Sequence, residues 1–536
     1  MDFDALEKQP QNRTRRVRHV VPVGYGTSNP TGAVEGHRVG AGFYKPNKTE
    51  KEMKRLLRIL LLLGILSFPF RGTGGGLQAQ IIGTNITVTV TPDHKDWVYK
   101  TGETITFTVD VRKSGTLLDG ANITYEMGPE LYPEVKKDMV LKEGTTVIKG
   151  KMTKPGFYKL KVTAHVAGKD YEGWCSAAVS PEQIQPTAQC PKDFDAFWAK
   201  AIEEARWTAL EPHIEFLPER STPDVNTYHV SFQNDRWGRR VYAILNVPTK
   251  PGKYPALLRV PGAGVRPYTG DEWFCKQGCI VLEIGIHGIP VTNPQAYYDN
   301  LYSAALAGYW HHGLHDRNEN YYKHVITGCI RAIDFIETLQ TPSSLPLEGE
   351  GSISANGRRT SQVSTPPLGE AGEGSVGAWD GRNLAVTGSS QGGFLSLATT
   401  ALDKRVSCYG AVHAALCDHE ASLKRQACGW PHYFYDEGKQ QPIAHPDPNV
   451  VEQTRYYDGV NFARRITVPG YFSFGYNDNV VPPTTAYGTY NVAGGDKTLS
   501  PYPKTAHFWY QEQWDEWNAY LLQHLKTPSS LPQGGE

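Results

Sequence analysis

The chain has 536 residues, room for two or three domains and a large core. Its 55 Lys and Arg balance 55 Asp and Glu, which leaves no broad basic footprint, so no nucleic-acid partner is expected. Walker-type phosphate loops and HExxH are absent, and neither cofactor nor metal is expected.

Taken in chain order, residues 1–52 are polar and basic around Arg13 to Arg18 and read as an unstructured upstream extension. Met53-Lys54-Arg55-Leu56-Leu57-Arg58 is a basic start, 59–66 an apolar centre, and Leu77-Gln78-Ala79 a small-residue cleavage site before Gln80. This pattern predicts a signal peptide over 53–79 with Met53 as the true start, and hence a secreted or periplasmic protein. The apolar run is too short for a stable membrane span.

Residues 80–180 predict an antiparallel β-sandwich. Ile86, Val88 and Val90 alternate with threonines, Ile105, Phe107, Val109 and Val111 alternate with polar neighbours, and Tyr158, Leu160, Val162, Ala164 and Val166 repeat the pattern after Pro155-Gly156. Carbohydrate binding, a structural role and an oligomer contact all suit such a domain. From 181 to 526 strand-like and helix-like runs alternate, which predicts an α/β catalytic domain opening on a helix with Phe194, Phe197, Trp198, Ile202 and Ala205 along one face. His311, His312 and His315 are spaced like metal ligands, but Tyr309, Trp310 and Gly313 frame a loop surface, and Asp316 and Glu319 complete no metal signature, so a structural role is expected. Residues 341–378, rich in Ser, Gly, Pro and Glu, predict a low-complexity insertion. Its hexapeptide at 341–346 recurs at 527–532, and 527–536 read as a disordered tail. Eight cysteines in an exported chain allow disulfides in 105 full pairings, among which the sequence does not choose.

The chemistry concentrates near Ser390. Gly388-Ser389-Ser390-Gln391-Gly392-Gly393 follows the apolar run 384–387 and precedes a helix-forming stretch, which is the nucleophile-elbow pattern. A sharp strand-to-helix turn strains its central serine, so close neighbours must lack bulky side chains. Downstream, a buried strand over 468–475 delivers Asp478 in a loop, and His507 follows another strand and precedes an aromatic helix. Serine, acid, histidine is the chain order of the α/β-hydrolases. In that reading His507 takes the Ser390 proton and returns it to the leaving alcohol, while Asp478 orients the imidazole. The bland alternatives are a turn cap for Asp478 and a packed histidine beside Phe508 and Trp509.

The segments 255–264, 282–288, 321–324 and 388–393, with the opening helix around Cys190 to Trp198, resemble the acetyl xylan esterase / cephalosporin-C deacetylase family over roughly 190–526, with one interruption. The resemblance implies an α/β-hydrolase serine esterase that removes acetyl groups from sugar hydroxyls, with the triad at Ser390, Asp478 and His507 and a tendency to form homo-oligomers. An oxyanion hole needs two pre-aimed backbone N–H groups, each worth about 3 kcal/mol. Gln391, directly after the serine, is expected to supply one, and the loop Pro261-Gly262-Ala263-Gly264 is the best candidate for the other, at Ala263, with an ordinary tight turn as the alternative. Family members often carry tyrosine where Ala263 stands; the donor is backbone, so the departure bears on the acyl pocket instead. A prolyl-oligopeptidase-like serine peptidase and a non-catalytic carbohydrate-binding protein remain the alternatives.

Overall fold

A computed structural model describes residues 85–340, 345 and 377–526, all within one compact unit, Ile82–Glu536. The expected extension, the signal peptide, the tail and nearly all of the insertion lie outside these residues. No helix among the described residues is long and apolar enough to cross a membrane.

Two-residue alternation produces nine strands ahead of the α/β region: β1 (Ile86–Pro92), β2 (Val98–Tyr99), β3 (Thr104–Lys113), β4 (Thr116–Leu117), β5 (Asn122–Pro129), β6 (Val135–Val140), β7 (Thr145–Lys151), β8 (Gly156–Val166) and β9 (Lys169–Val179). They form a four-stranded sheet in which β3 pairs with β1, β4 and β7, and a five-stranded sheet ordered β2-β9-β8-β5-β6. Pairing is antiparallel except between β9 and the two-residue β2, which run parallel. Ile105, Phe107, Val109 and Val111 on β3 are wholly buried and share one core with Leu160, Val162 and Ala164 on β8. That core also takes in Phe474, Tyr476, Ala486 and Tyr487 from far downstream, which ties the β-rich region to the rest of the molecule.

The mixed α/β region is built on a nine-stranded sheet. Its strands are β10 (His213–Phe216), β11 (Val225–Gln233), β12 (Arg240–Pro248), β13 (Gly252–Arg259), β14 (Ile280–Gly285), β15 (Gly377–Ser389) and β16 (Cys408–Val412), then, beyond the separate hairpin of β17 (Tyr435–Asp436) and β18 (Gln441–Pro442), β19 (Gly470–Gly475) and β20 (Lys497–Tyr502). The order is β10-β11-β12-β14-β13-β15-β16-β19-β20, antiparallel from β10 to β14 and parallel from β14 to β20. Strands buried on both faces read as continuous apolar runs. On β13, Ala256 and Leu258 belong to one core while Leu257 belongs to the opposite one.

Helices cover both faces. The first is α1 (Phe194–Arg206), followed by α2 (Glu272–Lys276), α3 (Gln295–Tyr302), α4 (Tyr321–Thr338), α5 (Gln391–Leu402), α6 (Pro448–Thr454), α7 (Gly459–Ala463), α8 (Pro483–Val492) and α9 (Gln511–Lys526). Residues of α1, α4, α5 and α7 share the larger core, while Phe274 of α2 and Trp517, Leu521 and Leu525 of α9 fill the other.

Four details bear on the sequence reading. Phe508, Trp509 and Tyr510 precede α9 rather than forming its first turn, and all three are exposed. Gly377 and Ala378, placed in the insertion by composition, are buried at the start of β15, because pairing with Gly252 and Lys253 outweighs the local glycine content. All eight cysteines are free thiols, seven of them buried. Tyr309 is no surface residue: it is wholly buried at the start of a 3-10 turn, Tyr309–His311.

Candidate active site

Ser390 lies between the end of β15 and the start of α5 with φ 61° and ψ −123°, a strained conformation for a residue with a side chain. The elbow holds it there by hydrogen bonds from Ser390 N–H to the Val412 carbonyl (2.9 Å) and from Ala415 N–H to the Ser390 carbonyl (3.0 Å). Its glycines are sterically required. A Cβ at Gly388 would stand 2.4 Å from the Val260 carbonyl oxygen, and one at Gly392 2.5 Å from the same atom.

Asp478 sits in the loop after β19, 3% exposed. Its Oδ1 accepts the backbone N–H groups of Val480 and Val481, each at 2.9 Å. Its Oδ2 accepts from two imidazoles: His507 through Nδ1 at 2.8 Å and His413 through Nδ1 at 2.9 Å. Burial by itself would raise the Asp478 pKa, but the His507 charge and the hydrogen bonds from both histidines outweigh it and hold the carboxyl well below the usual carboxylate range. The structure thus brings Asp478 and His507 together. No hydrogen bond joins His507 to Ser390 among the described residues; such contacts commonly tighten only when substrate is bound.

His413 was not singled out from the sequence. It follows β16, whose neighbours in the sheet are β15, carrying the serine, and β19, carrying the acid loop. Its side chain is only 1% exposed against 26% for His507, and burial pushes its pKa down despite the Asp478 charge. The two rings stand edge to face, 5.2 Å apart. Its position at a strand end was the available signal, but only the strand order aims it at Asp478.

The loop 261–264 lies against the elbow: a Cβ on Gly262 would be 3.2 Å from the Ser389 carbonyl oxygen and 3.9 Å from Ser390 Cβ. The Gln391 side chain is wholly buried and stitches the two together. Its Oε1 accepts the hydroxyls of Tyr309 (2.6 Å) and Tyr322 (2.9 Å), and its Nε2 donates to the Pro261 carbonyl (3.3 Å). Tyr309 also accepts the Gly264 N–H at 3.3 Å. His287 Nε2 lies 2.9 Å from the Gly264 carbonyl, which can only accept, so Nε2 carries the proton and Nδ1 accepts the Tyr321 hydroxyl at 2.7 Å. Burial pushes His287 down to about 4, consistent with this neutral tautomer. Arg266 donates to the Gly262 carbonyl at 2.9 Å. These bonds occupy the polar groups on both sides of Ala263 and fix the loop around it.

Possible metal ligands among the described residues converge at one place, where ligand atoms of His413, Asp478 and His507 lie within 4.8 Å of one another. Both imidazoles face the carboxylate with Nδ1, which satisfies those two nitrogens by hydrogen bonds to Asp478. His311, His312 and His315 form no such group: His315 is exposed beside Asp447 at 3.5 Å, and His311 packs on Tyr433.

Residues 182–345 and 374–524 match the family model described as acetyl xylan esterase. The chain is 33% identical over 481 residues to the acetyl esterase Axe7A of Xylanibacter ruminicola, an alignment spanning 87% of this chain and 95% of that one. Among solved structures it resembles an acetyl xylan esterase from Paenibacillus sp. R4 (21% identity, TM-score 0.47) and acetyl xylan esterase 1 from Thermoanaerobacterium sp. JW/SL YS485 (22%, 0.48); each match covers 64% of this chain and 97% of the other.

Proposed function

The chain belongs to the acetyl xylan esterase family and is a carboxylic ester hydrolase, and from that premise we propose that it is a secreted serine esterase removing acetyl groups from carbohydrate esters such as acetylated xylan. In this reading the α/β region is an α/β-hydrolase domain (181–526), the β-rich region (80–180) a sandwich appended to it, and Ser390, Asp478 and His507 the catalytic triad. The observation that carries it is the anionic Asp478 held against His507, with a serine strained into an elbow at the end of β15, two strands away in the same sheet from β19.

His507 donates Nδ1–H to Asp478, which leaves Nε2 to take the Ser390 hydroxyl proton. Ser390 Oγ then attacks the acetyl carbonyl, and the charge that develops on its oxygen is met by the backbone N–H groups of Gln391 and Ala263. Collapse of this intermediate breaks the bond to the sugar oxygen, which leaves with the proton from His507. Water, deprotonated by the same imidazole, releases acetate from the acyl-enzyme. Tyr309 and Tyr322 hold the Gln391 side chain and so keep both donors in place while the chemistry proceeds.

Acetate release from acetylated xylo-oligosaccharides tests the reading. Ser390→Ala and His507→Ala should each remove most of kcat with little change in KM, and the double variant should lose hardly more, since residues of one catalytic unit are strongly non-additive. Near-wild-type deacetylation by Ser390→Ala would sink it. Export rests on the basic and apolar pattern of 53–79. Exported protein should begin near Gln80, and N-terminal sequencing that finds residues ahead of Met53 would refute export by this signal.

A further inference from the structure

A cleft of about 320 Å³ opens between the β-rich region and the segment that carries the β17–β18 hairpin, within the size range of ligand sites. One wall is the five-stranded sheet, with Lys161, Glu172 and Trp174; the other holds His432 and Glu437; and Asn479, the residue after Asp478, also lines it. From this geometry we infer that the cleft is a glycan-binding site, which holds an oligosaccharide segment of the polymer whose acetyl groups the esterase site removes. The inference rests on the reading of the enzyme as a carbohydrate esterase.

The lining has the chemistry of sugar recognition. Trp174 is half-buried, and its indole N–H donates to the Asn477 carbonyl at 3.2 Å, so the ring is fixed in place rather than mobile. A fixed indole presents an apolar surface to the C–H groups of a pyranose at small entropic cost. On the walls Lys161 pairs with Glu172 and Glu126 with Lys136, each at 2.7 Å, His432 Nδ1 donates to Glu437 at 2.8 Å, and Lys159, which bonds Asn479 and stands over the Trp174 ring, has no ion pair among the described residues. Hydroxyl groups find donors and acceptors on both walls. The side chain of His432 is 6% exposed, and its Nε2 is buried without a protein partner among the described residues. A buried polar atom left in this way is costly unless a ligand or water completes it.

The cleft also adjoins the acid loop. Trp174 bonds Asn477, Ser176 N–H donates to Asn477 Oδ1 at 3.0 Å, and Lys159 bonds Asn479, so strands β8 and β9 grip the loop on both sides of Asp478. A polymer in the cleft is thus held against the same loop that supports His507. This gives the β-rich region a part in substrate capture that a mere scaffold would lack.

Calorimetric titration of the full-length protein with unacetylated xylohexaose, cellohexaose and mannohexaose tests the inference, because these ligands bear no ester and are not turned over. At least one should bind saturably, and which one does so identifies the sugar. Glu172→Ala with Glu437→Ala removes groups from both rims, and both side chains are substantially exposed (44% and 74%), so the fold should survive. The double variant should weaken that binding by about tenfold and slow release of acetate from acetylated polymer, with unchanged kcat/KM on 4-nitrophenyl acetate. No saturable binding of any of the three, or equal binding by the double variant, would overturn the inference. Failure to hydrolyse 4-nitrophenyl acetate would instead strike the esterase reading and leave the binding result readable.

Discussion

Asp478 Oδ2 serves two imidazoles at once, and in the proposed triad this sharing has a kinetic consequence. Each N–H donor stabilises the carboxylate and draws charge from the bond to the other ring. Replacing His413 by Phe removes one donor, so Asp478 should interact more strongly with His507 and favour its protonated form. The acidic limb of the kcat/KM profile should then move to higher pH, by about half a unit to one unit, while kcat falls about tenfold as the carboxylate loses a positioning contact. His413→Asn, which keeps an N–H donor, should restore much of both. If Phe lowered kcat with no movement of the limb, the second imidazole would be only a packing residue. His413 also shows a limit of reading residues singly. Its identity and place at a strand end are in the sequence, but the partner it meets is 65 positions away.

At the scale of elements, the junction of α4 with β15 bears on the insertion. Composition marked 341–378 as an insertion, and the helix before it and the strand after it meet directly: Trp379 N–H donates to the Leu339 carbonyl at 2.9 Å. A chain whose flanks are already in contact needs few residues to close, and closure entropy grows slowly with length. Leu345 packs against the main core and is worth keeping. Replacing 346–376 by a short Gly-Ser linker should therefore leave Tm within a few degrees of the parent and kcat unaltered. A loss of soluble protein or of activity would mean that the segment contributes contacts of its own. The elbow is the opposite case, an element legible almost completely from sequence. Its glycines, apolar strand and helix start are neighbours along the chain, and the strain at Ser390 follows from that local arrangement.

Across the whole molecule, the contact between the β-rich and α/β regions carries a buried acid. Glu130, 5% exposed, accepts the hydroxyl and the N–H of Thr484 at the start of α8. Burial pushes it up to about 8, against which the Thr484 hydrogen bond and Lys159 act only in part. Between about 4.5, the unfolded value, and about 8, the unfolded chain has released this proton while the folded one keeps it. Its contribution to stability is thus full below the unfolded pKa and declines as pH rises, by at most about 1.4 kcal/mol per pH unit. Glu130→Gln should flatten the fall in Tm between pH 5 and 8 and make the variant the more stable protein at about pH 8. Asp418, raised to about 7, and Asp458, raised to about 6, are buried acids in the same window, so a residual slope should remain. Parallel Tm curves for parent and variant would refute the assignment. The similarity to the Axe7A esterase spans 87% of the chain, more than residues 182 onward can supply, so it reaches into the β-rich region as well.

By itself the sequence determined what near neighbours along the chain encode. Two-residue alternation laid out β1, β3 and β8, doubly apolar runs laid out the parallel strands, and glycines with an apolar strand and helix start marked the elbow; each depends on steric and solvation preferences acting over a few residues. Chain order singled out Ser390, Asp478 and His507 as candidates. Tertiary structure decided the rest. It placed β16 between β15 and β19 and so aimed His413 at Asp478, set Tyr309 and Tyr322 on the Gln391 side chain, paired Gly377 and Ala378 into β15, and folded strands β8 and β9 against the acid loop. These contacts join residues tens to hundreds of positions apart, and nothing local selects them. They follow from which faces find each other when the cores close, a property of the packed molecule and not of any window of its sequence.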